Sequence, residues 1–251
     1  MLMTIDVGNT NIAVGVFKDE ELVTTFRMMT SAQRTSDELG AGFRSIFMAK
    51  DLNKDDVTEV VISSVVPDLN HSLINMVKKY FEVDPLMIST SLKTGIITDI
   101  KDLGNDRLVD MAAAYKYYGP EVLVIDFGTA TTYDYVNKDG TFLTGITAPG
   151  IKIEADALTN MAAQLPKVEL VYPDSVLTVD TVSSMQVGIV YGYLGSVEYI
   201  IRKIKEEVNP DCKVVATGGY GSLICPNTDM IDYYDKDLAY KGMKLILEMN
   251  K

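Results

Sequence analysis

Two short segments carry residue types that suit phosphate chemistry. Residues 6–15 read DVGNTNIAVG and residues 126–135 read DFGTATTYDY, so an Asp-apolar-Gly-polar opening recurs 120 positions later. A turn of Gly8, Asn9 and Thr10 exposes N–H groups and small polar side chains that can surround phosphate oxygens. Gly8 lets backbone approach a ligand closely. Asp6 repels phosphate directly, but becomes useful if Mg²⁺, often through water, lies between them. An ordinary polar turn with local hydrogen bonds explains a single copy equally well; two copies favour a ligand. In the second copy Asp126 precedes Gly128, Thr129, Thr131 and Thr132, a hydroxyl-rich surface for the other side of a polyphosphate. β-propensity alone accounts for the threonines. It does not account for Asp126 and Gly128.

The segment GNDRLVD adds a different chemistry, because Asp106 and Arg107 fall where a loop becomes a helix. There Asp106 could take a proton from a substrate hydroxyl while Arg107 pairs with an anionic group. The structural alternative makes Asp106 an N-cap and Arg107–Asp110 an i,i+3 pair. Thr181, in DTVSSMQ, reads as a helix start with Ser183 and Gln186 as a capping box. Gly188, Gly192 and Gly195 in that helix read as places for a close packing neighbour. Gly218-Gly219, after the strand VVAT, could lie against a flat adenine or simply begin a helical turn. Neither a dinucleotide fingerprint nor GxxxxGK[ST] is present.

The elements around these segments repeat. LMTIDVG, a tight turn and NIAVGVF form a hairpin with Ile12, Val14 and Val16 on one face; ELVTTFRM adds a third strand. A helix follows with Leu39, Phe43, Ile46 and Phe47 on one side, then the strand VTEVVISSVVP and the helix LNHSLINMVKKYF. A helix starting near Asp106 stops at Gly119-Pro120. The pattern then restarts with the strand EVLVIDFG, further strands, helices near 151–164 and 182–207, the strand CKVVATGG and a closing helix DLAYKGMKLILEMNK. Two mixed-sheet α/β domains, 1–118 and 119–251, with a cleft between them, are expected.

Composition limits the options. The 251 residues carry a formal net charge of -12, which disfavours nucleic acid and anionic membrane as partners. Two cysteines, Cys212 and Cys225, make no disulfide framework and indicate a reducing cytoplasm. Asp6 interrupts the first apolar stretch, so no secretory signal is expected. Val187–Ile201 is short and contains Glu198, which reads as a buried helix, not a membrane span. His71 is the sole histidine, so a His-rich metal site is excluded.

Taken together, DVGNTN, RTSDELG, SSVVP, GNDR, DFGTATT, AAQLPKVEL, TVSSMQ and ATGG closely resemble the type III pantothenate kinases, in that family's order and nearly end to end. These belong to the superfamily of sugar kinases, actin and heat-shock chaperones. The resemblance implies an α/β fold of two duplicated ribonuclease H-like domains with an interdomain ATP cleft. It implies ATP-dependent phosphorylation of pantothenate, the first step of coenzyme A synthesis. By position, Asp6, Val7, Gly8, Asn9, Thr10, Asn11, Ile12 and Ala13 would hold ATP phosphates, and Thr129 would add an ATP contact. Asp126 would bind a monovalent cation, potassium or ammonium. Asp106 would be the proton acceptor, with Gly104, Asn105 and Arg107 lining a pantothenate pocket completed by Thr181 at a homodimer interface. Some positions depart from the family. Ile97 stands where a tyrosine is usual, Asp99-Ile100 where Asn-Pro is usual, Asn105 replaces an alanine and Asp180 an asparagine. A kinase or phosphohydrolase of the superfamily with another acceptor, or a non-catalytic nucleotide-sensing regulator, are the alternatives.

Overall fold

In the computed structural model, which describes residues 1–251, each Asp-Gly segment builds the central hairpin of its own five-stranded sheet. The first run comprises β1 (Leu2–Val7), β2 (Asn11–Lys18), β3 (Glu21–Met29), α1 (Ser36–Ala49), β4 (Glu59–Ser64), α2 (Pro67–Phe81), β5 (Leu86–Met87) and α3 (Asn105–Tyr118). The second comprises β6 (Val122–Phe127), β7 (Ala130–Val136), β8 (Phe142–Pro149), α4 (Ile151–Met161), α5 (Thr181–Glu207), β9 (Lys213–Thr217), α6 (Gly221–Ile224) and β10 (Tyr233–Tyr234); α7 (Leu238–Met249) closes the chain. The sheets run β3-β2-β1-β4-β5 and β8-β7-β6-β9-β10, each an antiparallel meander continued by parallel strands. Identical strand order in the two sheets makes these duplicated ribonuclease H-like folds.

Alternation along β1 explains its two faces. Met3, Ile5 and Val7 enter a core with Ile12, Val14, Val16, Leu39 and Phe43. Phe26, Phe43, Phe47 and Phe81 meet edge to face there, with centroids 5.2–6.3 Å apart. Thr4 and Asp6 therefore point to the opposite face. In the second unit Leu123, Ile125, Phe127, Tyr133 and Tyr135 pack against Ile151 of α4 and Val190, Tyr193, Val197 and Ile201 of α5.

The compact units are 1–113 with 238–251, and 114–237. The sequence division at 118/119 leaves the closing helix with the second half by chain order, but α7 packs on β1 and β4. Lys244 Nζ donates to Glu20 (2.5 Å), Lys251 pairs with Glu59 (2.7 Å), and Asn250 Nδ2 donates to the Lys93 carbonyl (2.8 Å). Three further differences have local causes. Asp180, not a Ser183–Gln186 box, caps α5: its Oδ1 accepts from the Ser183 N–H (3.0 Å), and Gln186 donates instead to the Glu169 carbonyl (2.9 Å). Nothing within the chain lies within 4 Å of a Cβ placed at Gly188, Gly192 or Gly195, so intrachain packing does not account for them. And β5, β10 and α6 are too short, at two to four residues, to show a period in sequence.

The helix–helix approach of α7 is testable. A Cβ at Gly242 would lie 2.2 Å from the Val109 carbonyl oxygen on α3, which backbone cannot easily yield. Gly242→Ala should cost about 1–3 kcal/mol, read as a lowered urea midpoint; an unchanged midpoint would mean the helices separate freely.

Candidate functional site

The first hairpin turn is closed by the Gly8 N–H donating to the Asn11 carbonyl (3.0 Å). Thr30 pins it from the neighbouring strand end: its Oγ1 donates to the Gly8 carbonyl (2.7 Å) and its N–H to the Thr10 carbonyl (3.0 Å). Nothing local in the sequence marks Thr30 for this task. Asn9, Thr10 and Asn11 are exposed, Gly8 and Ala13 half-buried. Val7 and Ile12 send their side chains into the core, so they offer a ligand only main chain. A Cβ at Gly8 would make one ordinary contact, 3.5 Å from the Asn11 carbonyl oxygen, and its φ is not positive. The fold by itself does not demand glycine there.

Behind that turn sits Asp6, half-buried near the end of β1. Burial pushes its carboxyl up to about 7, the negative charge of Asp106 adds to the shift, and the Ser63 hydroxyl and Arg27 oppose it. Ser63 is the parallel-strand partner of Asp6. It is wholly buried, and its Oγ is near enough to temper the carboxyl without reaching hydrogen-bond geometry with any group.

Asp106 lies in the first turn of α3, not at its cap, since the Leu108 N–H donates to the Gly104 carbonyl (3.1 Å). Its Oδ1 accepts from the Arg107 N–H (2.8 Å). Asn105 Nδ2 donates to the Ser64 carbonyl (3.1 Å), tying the start of this helix to the end of β4. A Cβ at Gly104 would lie 2.4 Å from Asp106 Oδ1, so the glycine leaves room for the carboxylate. The first unit thus gathers Asp6, Ser63, Gly104, Asn105, Asp106 and Arg107. Ile97, on the loop leading to them, is 58% exposed.

The second unit repeats the aspartate with a different surround. Asp126 is half-buried, with Thr132 and Thr217 as its strand partners. A Cβ at Gly218 (φ +89°) would lie 2.3 Å from Asp126 Oδ1, and one at Gly128 3.0 Å from Oδ2. Both glycines make space for the carboxylate, a role that chain order alone did not suggest for Gly218. Thr129 is exposed at the turn. Thr131 is not part of a ligand-facing surface: it is buried and its hydroxyl bonds to that of Tyr193. Thr181 opens α5 at the rim of a 510 Å³ concavity that also involves Glu154, Leu158, Leu165, Met185 and Ile189. Burial raises the Glu154 carboxyl above its ordinary value.

The Asp6 shift has a stability consequence with a definite sign. Its folded value lies above the unfolded value of about 4, so the native state binds the proton more tightly and stability falls as pH rises from about 4 to about 7. In metal-free buffer Asp6→Asn should melt higher than the parent at pH 8, by about 2 kcal/mol after allowing for solvent screening of its open side. At pH 4 the difference should vanish. A pH-independent difference would mean Asp6 titrates normally.

The family model described as type III pantothenate kinase matches residues 2–203. A type III pantothenate kinase from Agathobacter rectalis is 48% identical over 250 residues, covering 98% of this chain and 96% of that protein. Among solved structures, a conserved candidate Baf-family transcriptional activator from Campylobacter jejuni aligns with a TM-score of 0.63 and 21% identity over 99% of this chain and 98% of that one. A candidate N-acetylmannosamine kinase from Listeria monocytogenes aligns with a TM-score of 0.55 and 9% identity over 100% and 99%. The two structures speak to fold alone, whereas the family match and the close relative speak to kind. The chain belongs to the type III pantothenate kinase family.

Proposed function

We infer that the protein transfers the γ-phosphate of ATP to the hydroxyl of pantothenate, giving 4'-phosphopantothenate, the first step of coenzyme A biosynthesis. The observation that carries this at the site is the Asp106 carboxylate, given room by Gly104 at a helix start and electrostatically coupled to Asp6. Phosphoryl transfer asks a protein mainly to position reactants and to neutralise charge. Asp106 orients the acceptor hydroxyl and takes its proton. Arg107 holds the pantothenate carboxylate through its planar fork, with Gly104, Asn105, Thr181 and Ile97 bordering the acceptor. The turn Asp6–Ala13 holds ATP phosphates through main-chain N–H groups and the exposed Asn9, Thr10 and Asn11, and Thr129 adds a nucleotide contact.

Two cations fit the donor sets. The Asp6 carboxylate beside an orphaned buried hydroxyl suits a hydrated Mg²⁺, which would screen phosphate charge when bound. Asp126, cradled by Gly128 and Gly218, suits a potassium or ammonium ion. The open faces of Gly188, Gly192 and Gly195, with Tyr199 exposed beyond them on α5, suit a homodimer in which a second helix approaches closely. Free Cys212 and Cys225 accord with the cytoplasm, and no helix is long and apolar enough to cross a membrane. A regulator without catalysis is not favoured, because the likeness to the Campylobacter protein, at 21% identity, extends to fold only.

An acceptor screen tests the reading: with ATP, Mg²⁺ and K⁺, pantothenate should be phosphorylated in preference to other small alcohols, and preference for another alcohol would overturn it. Asp106→Asn should preserve folding and ATP binding while lowering kcat by about 10²–10⁴-fold. Gly104→Ala should act the same way in smaller measure, displacing the carboxylate with little change in melting temperature; near-normal turnover in both would remove Asp106 from the role. For assembly, Gly192→Arg should convert a dimer to monomers in sedimentation. Persistence of the dimer would place its interface elsewhere.

A further inference from the structure

The parallel pairing of β1 with β4 puts Ser63 directly beside Asp6, on the face opposite the Met3–Ile5–Val7 core. Ser63 is 0% exposed and its hydroxyl has no hydrogen-bond partner. Such a group is a net cost to the fold unless something satisfies it. Apart from its two final serines, β4 is apolar after its first residue, reading EVVISS, so a hydroxyl is not a general feature of its face. The duplicated unit makes the same choice. β9 reads KVVAT, its one buried polar residue is Thr217, and Thr217 is the strand partner of Asp126. Each half therefore sets a buried hydroxyl beside its aspartate, at the same register of the same strand pair.

We propose that Ser63 is a positioning residue for the cation site at Asp6, its hydroxyl donating to the Asp6 carboxylate and fixing its orientation when that carboxylate holds the hydrated divalent ion that accompanies ATP. This rests on the kinase reading given above. Mg²⁺ dehydrates reluctantly and keeps several waters. Those waters are held best by a carboxylate fixed in one orientation, and the buried Ser63 hydroxyl, on the strand partner of Asp6, has no competing partner. Outer-shell partners of this kind typically contribute 10–100-fold in metal affinity.

The test compares binding of a non-hydrolysable ATP analogue to the whole protein by calorimetry, with Mn²⁺ and with EDTA. Ser63→Ala should weaken the Mn²⁺-loaded analogue about 10-fold, leave metal-free binding unchanged, and leave the melting temperature in EDTA unchanged or raised. Ser63→Cys, which nearly keeps the volume but offers a poor donor, should follow Ser63→Ala. Asp6→Asn serves as the reference for the site. If it loses the metal-dependent gain while both Ser63 variants keep it, the role of Ser63 is overturned and the cation site stands. If Asp6→Asn also keeps the gain, the site at Asp6 and the role of Ser63 fall together. Equal weakening with and without metal would make Ser63 a packing residue and overturn the proposal.

Discussion

Two like charges brought together in one unit, Asp6 at the end of an inner strand and Asp106 in the first turn of a helix, are the constraint around which the first unit is organised. Burial and mutual repulsion both disfavour the ionised Asp6. The surroundings keep the two groups close all the same. β1 is fixed between β2 and β4, Asn105 ties the helix start to the Ser64 carbonyl, and Gly104 leaves the Asp106 carboxylate its space. Two neighbouring carboxylates of this kind are costly while both are ionised, and a cation between them would offset that cost.

The duplication is clear in topology and inexact in detail, and the details give the two aspartates different surroundings. Phe127 pairs with Thr131 whereas Val7 pairs with Ile12, so the second turn is one residue shorter. The strand irregularities at Val16/Phe17 and Tyr135/Val136 shift accordingly. Both aspartates have a buried hydroxyl residue as strand partner, but Asp6 also faces the charge of a second carboxylate, whereas Asp126 is flanked by glycines at 128 and 218. One aspartate sits in a charged patch, the other in a close-fitting cradle.

Much of this was legible in the chain because its signals are short-range. The alternation of β1 and β2, the restart after Gly119-Pro120 and the repeated Asp-x-Gly announced the paired hairpins, and the motif order announced the family. What stayed hidden depends on register between distant strands. Ser63 becomes interesting only once β4 lies parallel to β1, and Thr30 only once its strand end reaches the turn. That Gly218 spares space for Asp126, more than ninety residues earlier, shows only once β9 lies beside β6. Thr131 looked like surface chemistry, but strand alternation turns it inward to Tyr193.

Helix α7 bears on how the molecule comes into being. Residues 114–237 are contiguous and hold every strand of their sheet, whereas the first unit lacks its last helix until the final residues have been made. During synthesis the strand face carrying Thr4 and Asp6 must wait, uncovered, while the later half can already fold. The unit that holds Asp6 and Asp106 is begun first and completed last, since its sheet gains its covering helix only when residues 238–251 join it.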